Sequence, residues 1–164
     1  MRAVLSKTPG GPETLVVEEV SDPTPKKGEV IIEVKAVGIN YPDTLIIEDR
    51  YQFRPERPFA PGAEVAGVVE AIGEGVKGLH KGDRVIAVPG WGGLVERIAV
   101  PAATVIPIPK AMDFETAAAL IMTYGTSYYA LKDRAKLQAG ETLLVLGAAG
   151  GVGAAAVELG KGMG

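Results

Sequence analysis

The chain has 164 residues, 47% hydrophobic and 23% charged, with a formal net charge of -3. This is the composition of a soluble globular protein, and with no basic run it argues against nucleic acid or an anionic membrane as partner. There are no cysteines, so disulfides and thiolate metal ligands are excluded.

No apolar stretch reaches the roughly 18 to 20 residues that span a bilayer, and the apolar run after Met1 is too short for a signal peptide. A cytoplasmic location is therefore expected. The 22 glycines and 12 prolines suit a fold of short strands and turns.

In chain order, Arg2-Ala3-Val4-Leu5 and the run Thr14 to Val20 read as strands around the turn Pro9-Gly10-Gly11-Pro12. Glu29 to Val37 is a strong strand, because Val30, Ile32 and Val34 alternate with charged neighbours. Glu64 to Gly73, Arg84 to Val88 and Leu94 to Val100 continue the pattern. Many short strands punctuated by Gly and Pro predict a barrel or sandwich over residues 1 to about 110.

Beyond that point the character changes. Asp113 is a suitable N-cap for a helix over "FETAAALIM", with Glu115 facing the positive helix end. A second helical run, Ser127 to Arg134, is expected after a break at Gly125. Leu137 to Glu141 reads as a turn. Thr142-Leu143-Leu144-Val145-Leu146 is a continuous apolar run feeding a glycine-rich turn and a helix, the pattern of a parallel strand buried on both faces.

The turn itself is Gly147-Ala148-Ala149-Gly150-Gly151-Val152-Gly153. Glycines let a backbone approach a pyrophosphate, and the free N–H groups of a helix start point at the anion. The spacing is G-x-x-G-x-x-G rather than G-x-G-x-x-G, with Ala149 in the middle place. Two readings stand: a dinucleotide cradle or a structural turn. Val152, Ala155, Ala156, Leu159 and Met163 form one stripe on the following helix.

Read together, these segments resemble the medium-chain dehydrogenase/reductase superfamily. "PGAEVAGVVEAIGEGVKGLHKGDRV" carries the family-like positions Gly62, Glu64, Gly67, Val68, Gly73, Gly82, Asp83 and Arg84. "GETLLVLGAAGGVGAAAVELGK" is similar to the signature of its quinone oxidoreductase/ζ-crystallin branch, except that Glu158 stands where Gln is usual. The resemblance implies an α+β chain. A GroES-like β-barrel domain over residues 1–125 is followed by the first βα unit of a Rossmann, doubly wound α/β domain over residues 126–164.

The resemblance also bears on metal. Asn40 and Ala63 stand where zinc-dependent relatives carry Cys and His, and His80, in a turn-like stretch, is the one histidine. No metal site is expected, since zinc needs a tetrahedral set of thiolate, imidazole or carboxylate ligands. What remains is a zinc-independent reductase in which a nicotinamide supplies hydride. Its acceptor would be a small electron-poor π system, a quinone or an enone, whose developing anion a few donors can stabilise. NADPH is the expected cofactor, with NADH as the alternative. The acidic residue that discriminates them would lie roughly 20 residues past the glycine turn.

Site residues follow from the same resemblance. Asn40, Tyr51 and Thr126 are the catalytic candidates. Asn40 and Thr126 also join Gly147, Ala148, Ala149, Gly150, Gly151, Val152 and Gly153 as cofactor-binding candidates. Each has a plainer reading: Asn40 as a left-handed turn before a helix, Tyr51 as a surface aromatic, Thr126 as a helix cap. Asp43 reads as a structural hydrogen-bond acceptor, Glu64 as the partner of a cation or of backbone donors, and Trp91 as a loop-packing residue.

The family runs to about twice this length, so the chain is expected to belong to a longer, homodimeric protein or to associate with another piece. Alone, it is expected to bind a dinucleotide weakly or not at all. Two other functions stay open: an enoyl-thioester reductase of the same superfamily, acting on acyl-CoA-like substrates, and a non-catalytic structural or binding relative.

Overall fold

The computed structural model describes residues 1–164, which divide into two compact units, Met1–Ala119 and Leu120–Gly164. The first unit is built on strands. β1 (Arg2–Leu5) pairs antiparallel with β2 (Val16–Glu19) in a small hairpin. The larger sheet holds β3 (Glu29–Gly38), β4 (Glu64–Ile72), β5 (Arg84–Ala87), β6 (Arg97–Pro101) and β7 (Val105–Pro107) in the order β6-β3-β4-β5-β7. Every pairing is antiparallel. Single bridges, Ala3 to Val95 and Ser6 to Phe59, tie the hairpin to the rest.

The alternation in the sequence explains the core. Val30 and Ile32 of β3, Val65 and Val69 of β4, Val85 of β5 and Val100 of β6 point to one side and are buried together. Full burial of side chains this size contributes about 1.5–3 kcal/mol each. β3 is long and central, and two register shifts against β4, at Ile31/Ile32 and Val34/Ala36, bend it. Its far end delivers the chain to α1 (Tyr41–Ile47).

Some expected boundaries move. The run Thr14 to Val20 is a strand only over Val16–Glu19, because Pro12–Thr14 forms a 3-10 turn in which Thr14 Oγ1 donates to Gly11 O at 2.8 Å. β7 is a further strand, three residues long and closed by Pro107. α2 covers only Phe114–Ala118, capped as expected by Asp113, whose side chain accepts from Thr116 N at 2.6 Å.

In the second unit a π-helical turn (Ile121–Gly125), α3 (Thr126–Tyr128) and a second π-helical stretch (Tyr129–Arg134) follow one another without interruption. The expected break at Gly125 is absent; its backbone is helical, with φ -61° and ψ -44°. A glycine weakens a helix by only about 1 kcal/mol relative to alanine, which the packing of this run against α4 (Gly151–Gly162) offsets. Thr142 to Leu146 forms no ladder. A strand is defined by its hydrogen-bonded neighbour, and none pairs with this run; Leu144 and Leu146 are 82% and 87% exposed.

The stripe expected on α4 is only partly buried. Ala155 is fully covered, while Val152 is exposed. No helix in the chain is long and apolar enough to cross a membrane.

Candidate functional site

In the first unit the candidate polar groups gather where β3 runs into α1. Asn40 is the N-cap of α1, with an extended backbone at φ -121° and ψ 160°. The left-handed turn considered for it is therefore not what it forms. Asp43, one turn on, accepts from Asn40 N through Oδ2 at 2.8 Å and from Gly62 N through Oδ1 at 2.9 Å. It is buried, and its role is that of an acceptor joining the first turn of α1 to the start of the β4 segment.

Asn40 Nδ2 donates to Glu64 Oε1 at 3.0 Å. Glu64 lies at the head of β4 and is 2% exposed. The sequence points to a cation or backbone donors as its partner; the structure adds a side-chain amide. Nothing in the local pattern shows it, since the two residues are 24 positions apart. Gly38 makes the arrangement fit. A β-carbon there would lie 2.5 Å from Glu64 Oε1 and 2.2 Å from Ala118 O.

Tyr51 sits at the other end of α1. Its half-buried ring packs on the cluster Ile46, Ile47 and Phe59 and meets Phe53 edge-on, with centroids 5.9 Å apart. Asn40 caps the N-terminal end of α1, whereas Tyr51 follows its C-terminal end. Trp91 is exposed on a glycine-flanked loop, and the His80 side chain is 82% exposed, with Nδ1 3.6 Å from Asp83. No group of three or more His, Cys, Asp or Glu side chains is placed to hold a metal ion.

In the second unit the glycine turn folds back on itself ahead of α4. Gly147 has φ +73°, a conformation L side chains rarely adopt. Gly150 N donates to Gly147 O at 3.1 Å, and Gly150 is the extended N-cap of α4. Gly153 closes the turn. A β-carbon there would stand 2.3 Å from Gly147 O and 2.9 Å from Ala148 Cα. The leading N–H groups of α4, at Gly151, Val152 and Gly153, belong to the helix end that carries partial positive charge.

The same geometry shows why Ala149 is tolerated: the left-handed residue is Gly147 and the close approach is at Gly153. Ala148, Ala149, Gly150, Gly151 and Val152 are all exposed around the turn.

Thr126 lies in the continuous helical run, at φ -61° and ψ -49°. A cap residue has a non-helical backbone, so Thr126 is not one; its side chain is exposed. Two neighbours brace the turn instead. Ser127 Oγ, in a residue 1% exposed, donates to Val152 O at 2.7 Å. Thr123 packs its methyl where a side chain on Gly151 would be, 2.9 Å from that β-carbon position. Helical spacing from Thr126 does not reveal either contact. Tyr124 hydroxyl donates to Glu158, the position that departs from the usual Gln, and this bond raises the Tyr124 pKa above its ordinary value.

Comparison with known proteins places this geometry. The model of the alcohol dehydrogenase GroES-like domain matches residues 26–110. The chain is 41% identical over 163 residues to the quinone oxidoreductase of Lama guanicoe, covering 98% of this chain and 49% of that protein.

Among solved structures, the quinone oxidoreductase from Thermus thermophilus, described also in its complex with NADPH, aligns with a TM-score of 0.88 and 41% identity. It covers 100% of this chain and 51% of that one. The CurK enoyl reductase aligns with a TM-score of 0.90 and 34% identity, covering 99% and 52%. The chain thus spans about half the length of the curated relatives it matches. On the matched domain and these relatives, it belongs to the alcohol dehydrogenase GroES-like domain family, within the medium-chain dehydrogenase/reductase superfamily.

Proposed function

We propose that this chain forms the GroES-like domain and the dinucleotide cradle of a zinc-independent oxidoreductase that passes hydride from NADPH, or NADH, to a quinone or enone. The observation that carries the reading is the closed turn from Gly147 to Gly153, in which the absent β-carbon of Gly153 leaves room for Gly147 O. A turn so tight, ending on three helix N–H groups, suits a pyrophosphate. The relatives named quinone oxidoreductase support the acceptor class, and the NADPH complex of the Thermus protein supports the cofactor.

A nicotinamide cofactor held there supplies the hydride. The chain's own residues bind and orient. Gly147, Ala148, Ala149, Gly150, Gly151, Val152 and Gly153 receive the pyrophosphate, with Ser127 and Thr123 bracing the turn. In this reading Asn40 offers a polar group from the head of α1, Tyr51 borders the acceptor with its ring and hydroxyl, and Thr126 contacts the nicotinamide end. Electron-poor acceptors need little activation, so oriented donors suffice without a Lewis acid. The protein acts as a homodimer in the cytoplasm.

The CurK neighbour favours a second reading, reduction of an enoyl thioester by the same hydride chemistry. NADPH oxidation by the full-length gene product, measured with a quinone, an enone and an enoyl-CoA, separates the two. Turnover of the first two supports the reductase reading. Turnover of enoyl-CoA alone moves it to the second, and cofactor binding without any turnover contradicts both.

A further inference from the structure

We propose that Glu64 is a positioning residue that fixes the sense of the Asn40 amide, and with it the hydrogen-bonding face Asn40 turns outward. The inference rests on the reductase reading, in which Asn40 meets the ligand.

A carboxylate only accepts hydrogen bonds, whereas a primary amide has one donating and one accepting end. The contact between Asn40 and Glu64 Oε1, at 3.0 Å, therefore forms only with the amide nitrogen inward. The oxygen is turned away from Glu64. Glu64 is 2% exposed, so water does not compete for the bond. A glutamine at position 64 would tolerate either sense, because it can donate as well as accept.

The surroundings hold both partners. Asp43 fixes the main chain of Asn40 through the bond to Asn40 N, and it fixes the neighbouring segment through Gly62 N. Gly38 leaves the space that Glu64 Oε1 fills. The Asn40 side chain is itself half-buried and in contact with Glu64 through its amide nitrogen. Backbone and side chain of Asn40 are thus held by two different carboxylates.

The test reads the Asn40 side-chain NH2 resonances in the 15N-labelled chain. The wild type should show one downfield, exchange-protected proton with a cross-relaxation contact to the Glu64 methylenes. Glu64→Gln should remove the shift and the protection while the Asp43 and Gly62 amide signals stay in place; a merely structural role would move those as well. In quinone reduction by the full-length gene product, Glu64→Gln should lower kcat about tenfold, with KM for NADPH held within about twofold.

An Asn40 pair unchanged by Glu64→Gln overturns the proposal, as does a wild-type kcat in that variant. Absence of the Asn40–Glu64 contact in the wild-type spectrum overturns it without any variant. A wild type that reduces no quinone sinks the reductase reading instead, and the amide spectra still decide the role of Glu64.

Discussion

A β-carbon placed on Gly153 would stand 2.3 Å from the carbonyl oxygen of Gly147. Six residues apart, these two glycines close the turn that opens α4. One supplies a left-handed backbone and the other supplies empty space. Beside them lie the first N–H groups of α4, which the helix itself leaves without intrahelical partners.

Substitution at the second glycine should open this turn. Gly153→Ala is expected to destabilise the second unit by about 1–3 kcal/mol, the usual cost of forcing a methyl into a packed site. Gly150→Ala is the control, since a β-carbon there meets nothing nearer than 3.6 Å and the backbone has φ -80°. Hydrogen exchange across α4 should rise in the first variant far more than in the second. Equal protection in both would contradict the close approach.

Asp43 holds two backbone donors, the part-buried Asn40 N and the buried Gly62 N. Asp43→Ala should leave both unsatisfied, at about 1–3 kcal/mol each. Urea unfolding should therefore show a loss of about 2–6 kcal/mol. A loss below about 1 kcal/mol would mean the cap is replaceable by water.

The bond from Thr116 N to Asp113 pulls the carboxyl of Asp113 below the usual aspartate value. Its folded pKa is thus lower than its unfolded one. The stabilisation of α2 is complete above the unfolded value and is lost as pH falls through the folded value. Amide exchange at Thr116 and Ala117, followed at acid pH, should rise along that titration. Asp113→Ala should abolish the pH dependence; its persistence would assign the effect to another group.

Leu144 and Leu146 expose most of their surface in a run with no strand beside it. Unpaired apolar runs of this kind associate. The 164-residue chain is expected to self-associate with rising concentration in sedimentation experiments, and Leu144→Lys with Leu146→Lys should suppress it. A wild-type chain that stays monomeric at high concentration would contradict the exposure.

Local patterns made much of this legible. The alternation in Glu29 to Val37 marks β3, Asp113 marks the start of α2, and the glycine spacing marks the turn at 147–153. What was not legible depends on distant partners. Glu64 and Asn40 meet across 24 positions, and Asp43 and Gly62 across 19, with no periodicity to announce either. Gly125 misled because its weak helix propensity is a local property, while the continuous helix there is held by packing on α4. Thr142 to Leu146 has the composition of a buried strand, but composition does not provide the neighbour that a ladder requires.

Titration of the 15N-labelled chain with NADPH, up to millimolar concentration, puts the cradle itself to the test. Progressive shifts of the Gly147, Gly150, Gly151, Val152 and Gly153 amides are expected, weak in this chain and lost in Gly153→Ala. Shifts confined to other residues, with those amides unmoved at saturation, would contradict it.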